Sequence, residues 1–355
     1  MTDAPDRRLE AVALAEFSAA LFRAAGLAAD RARDVAEVLL EGDLLGHATH
    51  GLALVPPYLQ ALREGGMTRL GEPEIVADQG SAVTWDGRLL PGPWLVRRAI
   101  ALATARLARH PVATIVIRRS HHIACLQAYL APVVARGQVI LLTCSDPAHR
   151  SVAPFGAVEG VVSPNPIAAG FPTDAGPVLI DVSTSTTAFG HVMRAARAGE
   201  RLPGPWLVAP DGSSTDEAAA ALDARKAPLH PLGGEDLGYK GFALSLIVEA
   251  LTNALGGHGR AATTDRWSAS VFLQIIDPAR FGGAEGFARE TGFLAQACRE
   301  ARVARGRPAV RLPGDGALAR RAESLARGVA LPPGVQDALI AAAQELAVPV
   351  PAPLS

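Results

Sequence analysis

Ile75-Val76-Ala77-Asp78-Gln79-Gly80-Ser81-Ala82-Val83-Thr84-Trp85 sets two short apolar runs, 75–77 and 82–85, on either side of a glycine turn. The pattern reads as a β-hairpin, and a hairpin is foreign to an all-parallel sheet. Beyond it the chain alternates. Residues 99–109 carry a helical pattern, 113–117 a buried strand, 126–136 a helix, and 139–143 and 178–182 strands. Residues 242–255 form a strongly apolar helix closed by Gly256-Gly257, 270–276 a strand, and 310–312 a short one. Helix and strand in turn, with a hairpin at the head, predict an α/β protein on a mixed β-sheet.

The two ends of the chain differ from this middle. Leu9, Val12, Leu14, Phe17, Leu21 and Phe22 recur at helical spacing before Gly26, and 28–45 follow as a second helix with Val35, Val38, Leu39 and Leu40. The tail, 316–346, is an Ala- and Arg-rich helix. A discontinuous helical domain, 1–74 with about 300–355, is therefore expected beside an α/β domain over 75–299. The stretch 198–232, rich in Pro, Gly, Ser and Asp, is the longest irregular run, of the kind that is commonly either a functional lid or disordered.

Composition narrows the function classes. The 355 residues are 49% hydrophobic, with 34 Lys and Arg against 35 Asp and Glu, for a net charge of −1. No basic surplus exists to neutralise a nucleic-acid backbone. Cys125, Cys144 and Cys298 are odd in number and widely spaced, so neither a disulfide framework nor a thiolate zinc site is indicated. No uninterrupted apolar run is long enough for a membrane span. The opening Met1-Thr2-Asp3-Ala4-Pro5-Asp6 has no apolar leader, and a cytoplasmic protein is expected.

Five motifs can carry chemistry. His47-Ala48-Thr49-His50-Gly51 and Ser120-His121-His122 supply imidazoles suited to acid–base work; a zinc reading of the HxxH spacing lacks a third ligand, and no metal is expected. Ser163-Pro164-Asn165-Pro166-Ile167-Ala168 marks a turn. Asp181-Val182-Ser183-Thr184-Ser185-Thr186-Thr187 leaves a strand end with hydroxyls and amides fit to cradle a ribose or phosphate. Gly233-Gly234-Glu235-Asp236-Leu237-Gly238-Tyr239-Lys240-Gly241 places a lysine among glycines at an expected helix N-terminus, an anion site on physical grounds. The sole near match to a dinucleotide fingerprint, Gly314-Asp315-Gly316-Ala317-Leu318-Ala319, lies near the C-terminus with no second βαβ half after it and reads as a turn into a helix. A nucleotide here needs an architecture other than the Rossmann fold.

In this order the motifs resemble the malate/L-lactate dehydrogenase family, which includes ureidoglycolate dehydrogenase, diketogulonate reductase, sulfolactate dehydrogenase and piperideine-carboxylate reductase. The resemblance rests on Thr49-His50-Gly51 with Pro56 and Tyr58, His122-Ile123-Ala124, Val152-Ala153-Pro154-Phe155-Gly156, Asn165-Pro166-Ile167-Ala168, Asp181 to Ser185, Pro231 to Gly234, Lys240-Gly241-Phe242 and Pro313-Gly314-Asp315, from about Leu9 to Val348. It implies a homodimer on a mixed sheet unlike the Rossmann fold. It further implies NAD or NADP held by Asp181, Val182, Ser183, Thr184, Ser185, Lys240, Gly241 and the turn Pro313, Gly314, Asp315, with Ser145 and Asn165 nearby. His50 or His122 is the implied acid/base, with Thr49 beside it, and the resemblance does not choose between the two histidines.

Several positions depart from the family pattern. Thr49 replaces Ser and keeps the hydroxyl. Ala124, Ala157, Ser163 and Pro164 replace Gly, Gly, Gly and Thr, and His191 stands where Lys is usual. Leu54 stands where many members have the arginine that holds the substrate carboxylate, which leaves Arg118, Arg119 and Arg194 as candidates for that charge. Leu54, Tyr58 and Arg119 are the expected substrate residues. The expected activity is NAD(P)-dependent hydride transfer with a 2-hydroxy/2-oxo acid; reduction of a cyclic imine carboxylate, or cofactor binding with weakened catalysis, are the alternatives.

Overall fold

The computed structural model describes residues 8–222, 227–262 and 266–352; residues 1–7, on which the cytoplasmic reading partly rests, lie outside them. The chain opens with β1 (Arg8–Leu9), α1 (Ala11–Ala24), α2 (Ala29–Leu45) and α3 (Val55–Arg63). The hairpin follows as β2 (Glu74–Asp78) and β3 (Ala82–Asp86), then α4 (Gly92–Arg106), β4 (Val112–Ser120), α5 (Leu130–Val134), β5 (Val139–Ser145), β6 (Ile167–Phe171) and β7 (Val178–Val182). α6 (Phe189–Ala198), β8 (Leu207–Val208) and β9 (Ser214–Thr215) form a lobe with its own small apolar cluster around Val192, Leu207 and Leu229. α7 (Gly234–Glu249), β10 (Ala269–Ile276), α8 (Ala284–Glu300), α9 (Asp315–Arg327), β11 (Val329–Ala330) and α10 (Pro333–Glu345) complete the chain.

Seven strands make one mixed sheet in the order β2-β3-β4-β10-β5-β6-β7. β3 and β4 run parallel, joined by α4 as a crossover; the other neighbours in this sheet run antiparallel. β10, late in sequence, fills the centre between β4 and β5, and its near-continuous burial follows from having a neighbour on each side and cover on both faces. The chain ends meet: β1 pairs with β11, α2 packs on α9, and α3 on α10.

Three expectations are corrected. Residues 310–312 pair with no strand among the described residues; they lead into the 313–315 turn. The tail helix is two helices, because Gly328 turns at φ 84° and Pro332-Pro333 cannot continue the preceding helix. The apolar helix begins at Gly234, eight residues before its apolar run, so Lys240 lies in the second turn of α7 and not at its N-terminus.

Candidate active site

Two histidines, one from the helical N-terminal segment and one from the sheet, converge. α2 ends at Gly46 in a left-handed conformation, φ 90°, which glycine takes without strain, and the chain winds through a 3-10 turn, Ala48–His50. A Cβ on Gly51 would collide with the Asp43 carboxylate, which accepts the Leu52 amide at 2.7 Å. Burial pushes the Asp43 pKa up to about 7, against the pull of that amide. On this seat Thr49 Oγ1 lies 2.9 Å from His50 Nδ1, fixing one ring nitrogen from behind.

His122 arrives just past the end of β4. Gly92, the first residue of α4, leaves room for its backbone: a Cβ there would collide with the His121 and His122 carbonyls. Tyr58 Oη is 2.8 Å from His122 Nδ1 and also donates to the His122 carbonyl at 3.1 Å. Trp267 packs its ring 4.9 Å from His122 and 4.9 Å from His121. The His50 and His122 rings lie 5.8 Å apart, tilted by 33°.

Further histidines crowd this pair. Burial first, then His47 and His191, lowers the His50 pKa to about 4. Burial, then His50, His121 and His149, takes His122 well below its ordinary value. Both imidazoles are neutral at pH 7, the state in which a ring nitrogen can accept or donate one proton. The start of α6 closes over them: a Cβ on Gly190 would be 3.1 Å from Thr49 Cβ, and Phe189 packs 5.1 Å from the His149 ring.

Gln127 ties the histidine region to the far edge of the sheet. Its Oε1 is 2.7 Å from His47 Nε2, its Nε2 donates to the Leu179 carbonyl at 3.1 Å, and its amide donates to Asp181 Oδ2 at 2.9 Å. His47, Cys125 and Asp181 thereby come together, with their donor atoms within 4.8 Å of one another. Burial raises the Asp181 pKa, opposed by His47 and the Gln127 amide. Asp181 stays partly exposed, and Val182 beside it is exposed. The Pro313–Asp315 turn docks on the same strand. The Leu179 amide donates to the Pro313 carbonyl at 3.0 Å, and Gly314, at φ 101°, comes so close that a Cβ added to it would stand 3.0 Å from Leu179 Cβ. Asp315 is held by the Leu312 amide and Arg299.

Other expected cofactor residues are taken up by the fold. Thr184 Oγ1 donates to the Pro164 carbonyl at 3.0 Å and Ser185 Oγ to the Thr187 carbonyl at 2.7 Å, and both residues are buried. Ser183 Oγ donates to the Ser185 carbonyl while the residue stays partly exposed. Ser145 and Asn165 are buried beneath α7, both donating to Glu249 Oε1 at 2.8 Å. Glu249 pairs with Arg260 at 2.8 Å. Gly241 is a packing requirement, since a Cβ would collide with the Leu232 amide nitrogen. Lys240 remains exposed beside Tyr239.

The expected substrate residues scatter. Tyr58 is completely buried behind His122, so it positions that ring and does not face a ligand directly. Arg119 turns away to Asp86, as does Arg118, and Arg119 lines a different cavity. Leu54 packs partly buried against the core. Arg194 lies beside His191, whose pKa is lowered by burial, then Arg194 and His47. Trp267, Gln127 and Asp146, whose pKa burial raises to about 6, carry no signal in the sequence, because no local motif marks a side chain whose role comes from distant packing.

The model of the malate/L-lactate dehydrogenase family matches residues 9–340. The chain belongs to that family. Within this malate/L-lactate dehydrogenase family it is 29% identical over 331 residues to the L-lactate dehydrogenase of Cupriavidus necator, covering 91% of this chain and 93% of that protein. It is 33% identical over 318 residues to the Delta(1)-pyrroline-2-carboxylate/Delta(1)-piperideine-2-carboxylate reductase of Pseudomonas syringae pv. tomato, covering 84% and 86%. The fold superimposes on the malate dehydrogenase of Entamoeba histolytica with a TM-score of 0.91 at 22% identity, over 97% of this chain and 99% of that one. The family membership makes the chain an oxidoreductase of the malate/lactate/sulfolactate dehydrogenase type. No helix among the described residues is long and apolar enough to cross a membrane.

Proposed function

We propose that the chain is an NAD(P)-dependent oxidoreductase of 2-hydroxy/2-oxo acids, and the observation that carries the reading is the neutral His50–His122 pair. With the helical chain ends taken as one domain and 75–299 as the other, His50 belongs to the first and His122 to the second, so the pair sits at their junction. A bound nicotinamide supplies the hydride acceptor in oxidation and the donor in reduction. Asp181, Val182, Ser183, the Pro313–Asp315 turn and Lys240 would hold that cofactor; a carboxylate suits a ribose hydroxyl and the exposed lysine a phosphate.

The chain's own chemistry is proton transfer. In oxidation the substrate hydroxyl gives its proton to an imidazole Nε2, and in reduction the same Nε2–H returns it to the carbonyl oxygen. Thr49 holds Nδ1 of His50 and Tyr58 holds Nδ1 of His122. The Tyr58 hydroxyl can donate either to that nitrogen or to the His122 carbonyl, so it supports either tautomer. α7 exposes Leu237, Leu244, Leu246 and Ile247, an apolar face that fits coverage by a second copy in a cytoplasmic homodimer.

A second reading, reduction of a cyclic imine carboxylate, is favoured by the apolar Leu54 and by the 33% identity to the Pseudomonas syringae reductase. A leucine wall disfavours a second buried carboxylate. Branched or aromatic 2-oxo acids, or a cyclic imine acid, are therefore expected to exceed oxaloacetate in kcat/KM. The test is a panel of these acids with NADH and with NADPH. His50→Ala or His122→Ala, whichever removes the acid/base, should lower kcat by roughly two to four orders of magnitude. Near-normal kcat in both variants, or no turnover of any member of the panel, overturns the reading.

A further inference from the structure

β4 carries two arginines, Arg118 and Arg119, shortly before the histidines that follow the strand, and they serve a different place. Arg118 and Arg119 reach Asp86, at the end of β3, at 3.0 and 2.8 Å. Beside them opens a cavity of about 390 Å³ lined by Thr68, Arg88, Arg119, His258, Arg266 and Ser268. Arg88 pairs with Glu74 at 2.6 Å. Arg266 has no hydrogen-bond or ion-pair partner among the described residues. Three guanidinium groups, those of Arg88, Arg119 and Arg266, thus line the cavity, and the two carboxylates that pair with them, Glu74 and Asp86, also have Arg118 to answer, on a chain whose net charge is −1. His258 registers the surplus: burial lowers its pKa first, and Arg119 and Arg118 lower it further, against Asp86.

The backbone here is shaped around the opening. Arg88, Leu89 and Arg119 take φ of 51°, 57° and 50°, half of the non-glycine residues in that region among those described. Three bonds hold them there: Leu89 N–H to the Arg119 carbonyl at 2.7 Å, Gly87 N–H to the Arg118 carbonyl at 2.7 Å, and Thr68 Oγ1 to the Arg88 carbonyl at 2.7 Å. Strained positions persist where the surroundings over-determine them, and ligand clamps are one such setting. Guanidinium forks match planar and tetrahedral oxyanions, and the Arg88 and Arg119 side chains are about half exposed, hence reachable.

We infer that this cavity binds a small, multiply charged oxyanion, a phosphate or a di- or tricarboxylate, at a site separate from the histidine pair. Ser268 follows Trp267 in the chain, and the Trp267 ring packs on His122, so a bound anion lies one residue from the packing that orients the acid/base. The two sources of this chemistry separate in calorimetry of the full chain at low ionic strength, with inorganic phosphate in one arm and citrate in the other. At least one should bind, and Arg266→Ala should weaken it about tenfold, the loss expected for one charge-assisted contact. Arg266→Lys should restore part of the affinity, and Lys240→Ala should leave it unchanged. The inference is overturned if neither anion binds at millimolar concentration, if Arg266→Ala binds as wild type does, or if Lys240→Ala abolishes binding, which would place the anion in the cofactor cleft. A change of oligomeric state in Arg266→Ala without anion binding to the wild type would likewise overturn it, assigning the arginines to an interface between copies.

Discussion

Two buried polar clusters lie close together in this protein and are built in opposite ways. Under α7, Arg260 donates to Glu249 at 2.8 Å, to Ser145 at 3.0 Å and to the His149 carbonyl at 2.8 Å, while Asn165 donates to Glu249 at 2.8 Å and to Ser245 Oγ at 2.9 Å. Nearly every polar atom there is answered. In the histidine cluster each acid/base candidate is held by one nitrogen only, and both ring nitrogens of the fully buried His121 have no partner among the described residues. Complete pairing makes a rigid scaffold, whereas open valences mark where a ligand can be met. Ser145 and Asn165, which the family resemblance sets near the cofactor, are buried here and bonded into that scaffold.

The contrast breaks most sharply at Arg260. Removing it leaves the Glu249 carboxylate buried without its cation, so Arg260→Ala should cost about 3 kcal/mol of stability in denaturant unfolding. Lost turnover with unchanged stability would instead put Arg260 in the reacting site.

Tyr58→Phe tests the other cluster. Losing the hydroxyl on His122 Nδ1 should lower kcat about tenfold, the scale of one buried hydrogen bond, with cofactor affinity unchanged. If KM for the acid rises and kcat holds, Tyr58 meets the substrate after all.

The smallest expected effect is in the pH dependence. With the His50 pKa near 4, the neutral ring persists well below 6.5, so kcat/KM for oxidation should stay flat to about pH 5 if His50 is the base. For stability, the unfolded chain takes the His50 proton near 6.5 and the folded chain near 4. The contribution of neutral His50 is therefore complete above 6.5 and lost as pH falls toward 4. Asp43 and Asp146, raised to about 7 and about 6, run the other way and weaken the fold as pH rises toward and through those values. The stability gap between wild type and His50→Gln isolates the histidine. That gap should change in favour of the variant between pH 6.5 and 4, and a constant gap would mean that His50 is not held neutral by the fold.

What the sequence determined by itself is what local patterning and ordered motifs carry. The hairpin at 75–85 excluded an all-parallel sheet, the strand at 178–182 was readable to the residue, and the motif order named the family. His50 and His122 were legible as candidates because an imidazole titrating near neutrality suits acid–base chemistry, and few imidazoles stand in such motifs. Tertiary structure alone decided which named residues keep a polar group open and which spend it inside the fold. Thr184 and Ser185 point their hydroxyls into nearby carbonyls, Ser145 and Asn165 lie under α7, and Arg119 bends at φ 50° toward Asp86. It also decided what stands behind the histidines. Tyr58 and Gln127 are 64 and 80 positions from the rings they touch, and Trp267 is farther still from His122. The physical reason is that a side chain's partners are set by where its backbone is carried. Burial, which shifts a pKa or uses up a hydroxyl, is a property of the packed chain and not of any single stretch of it.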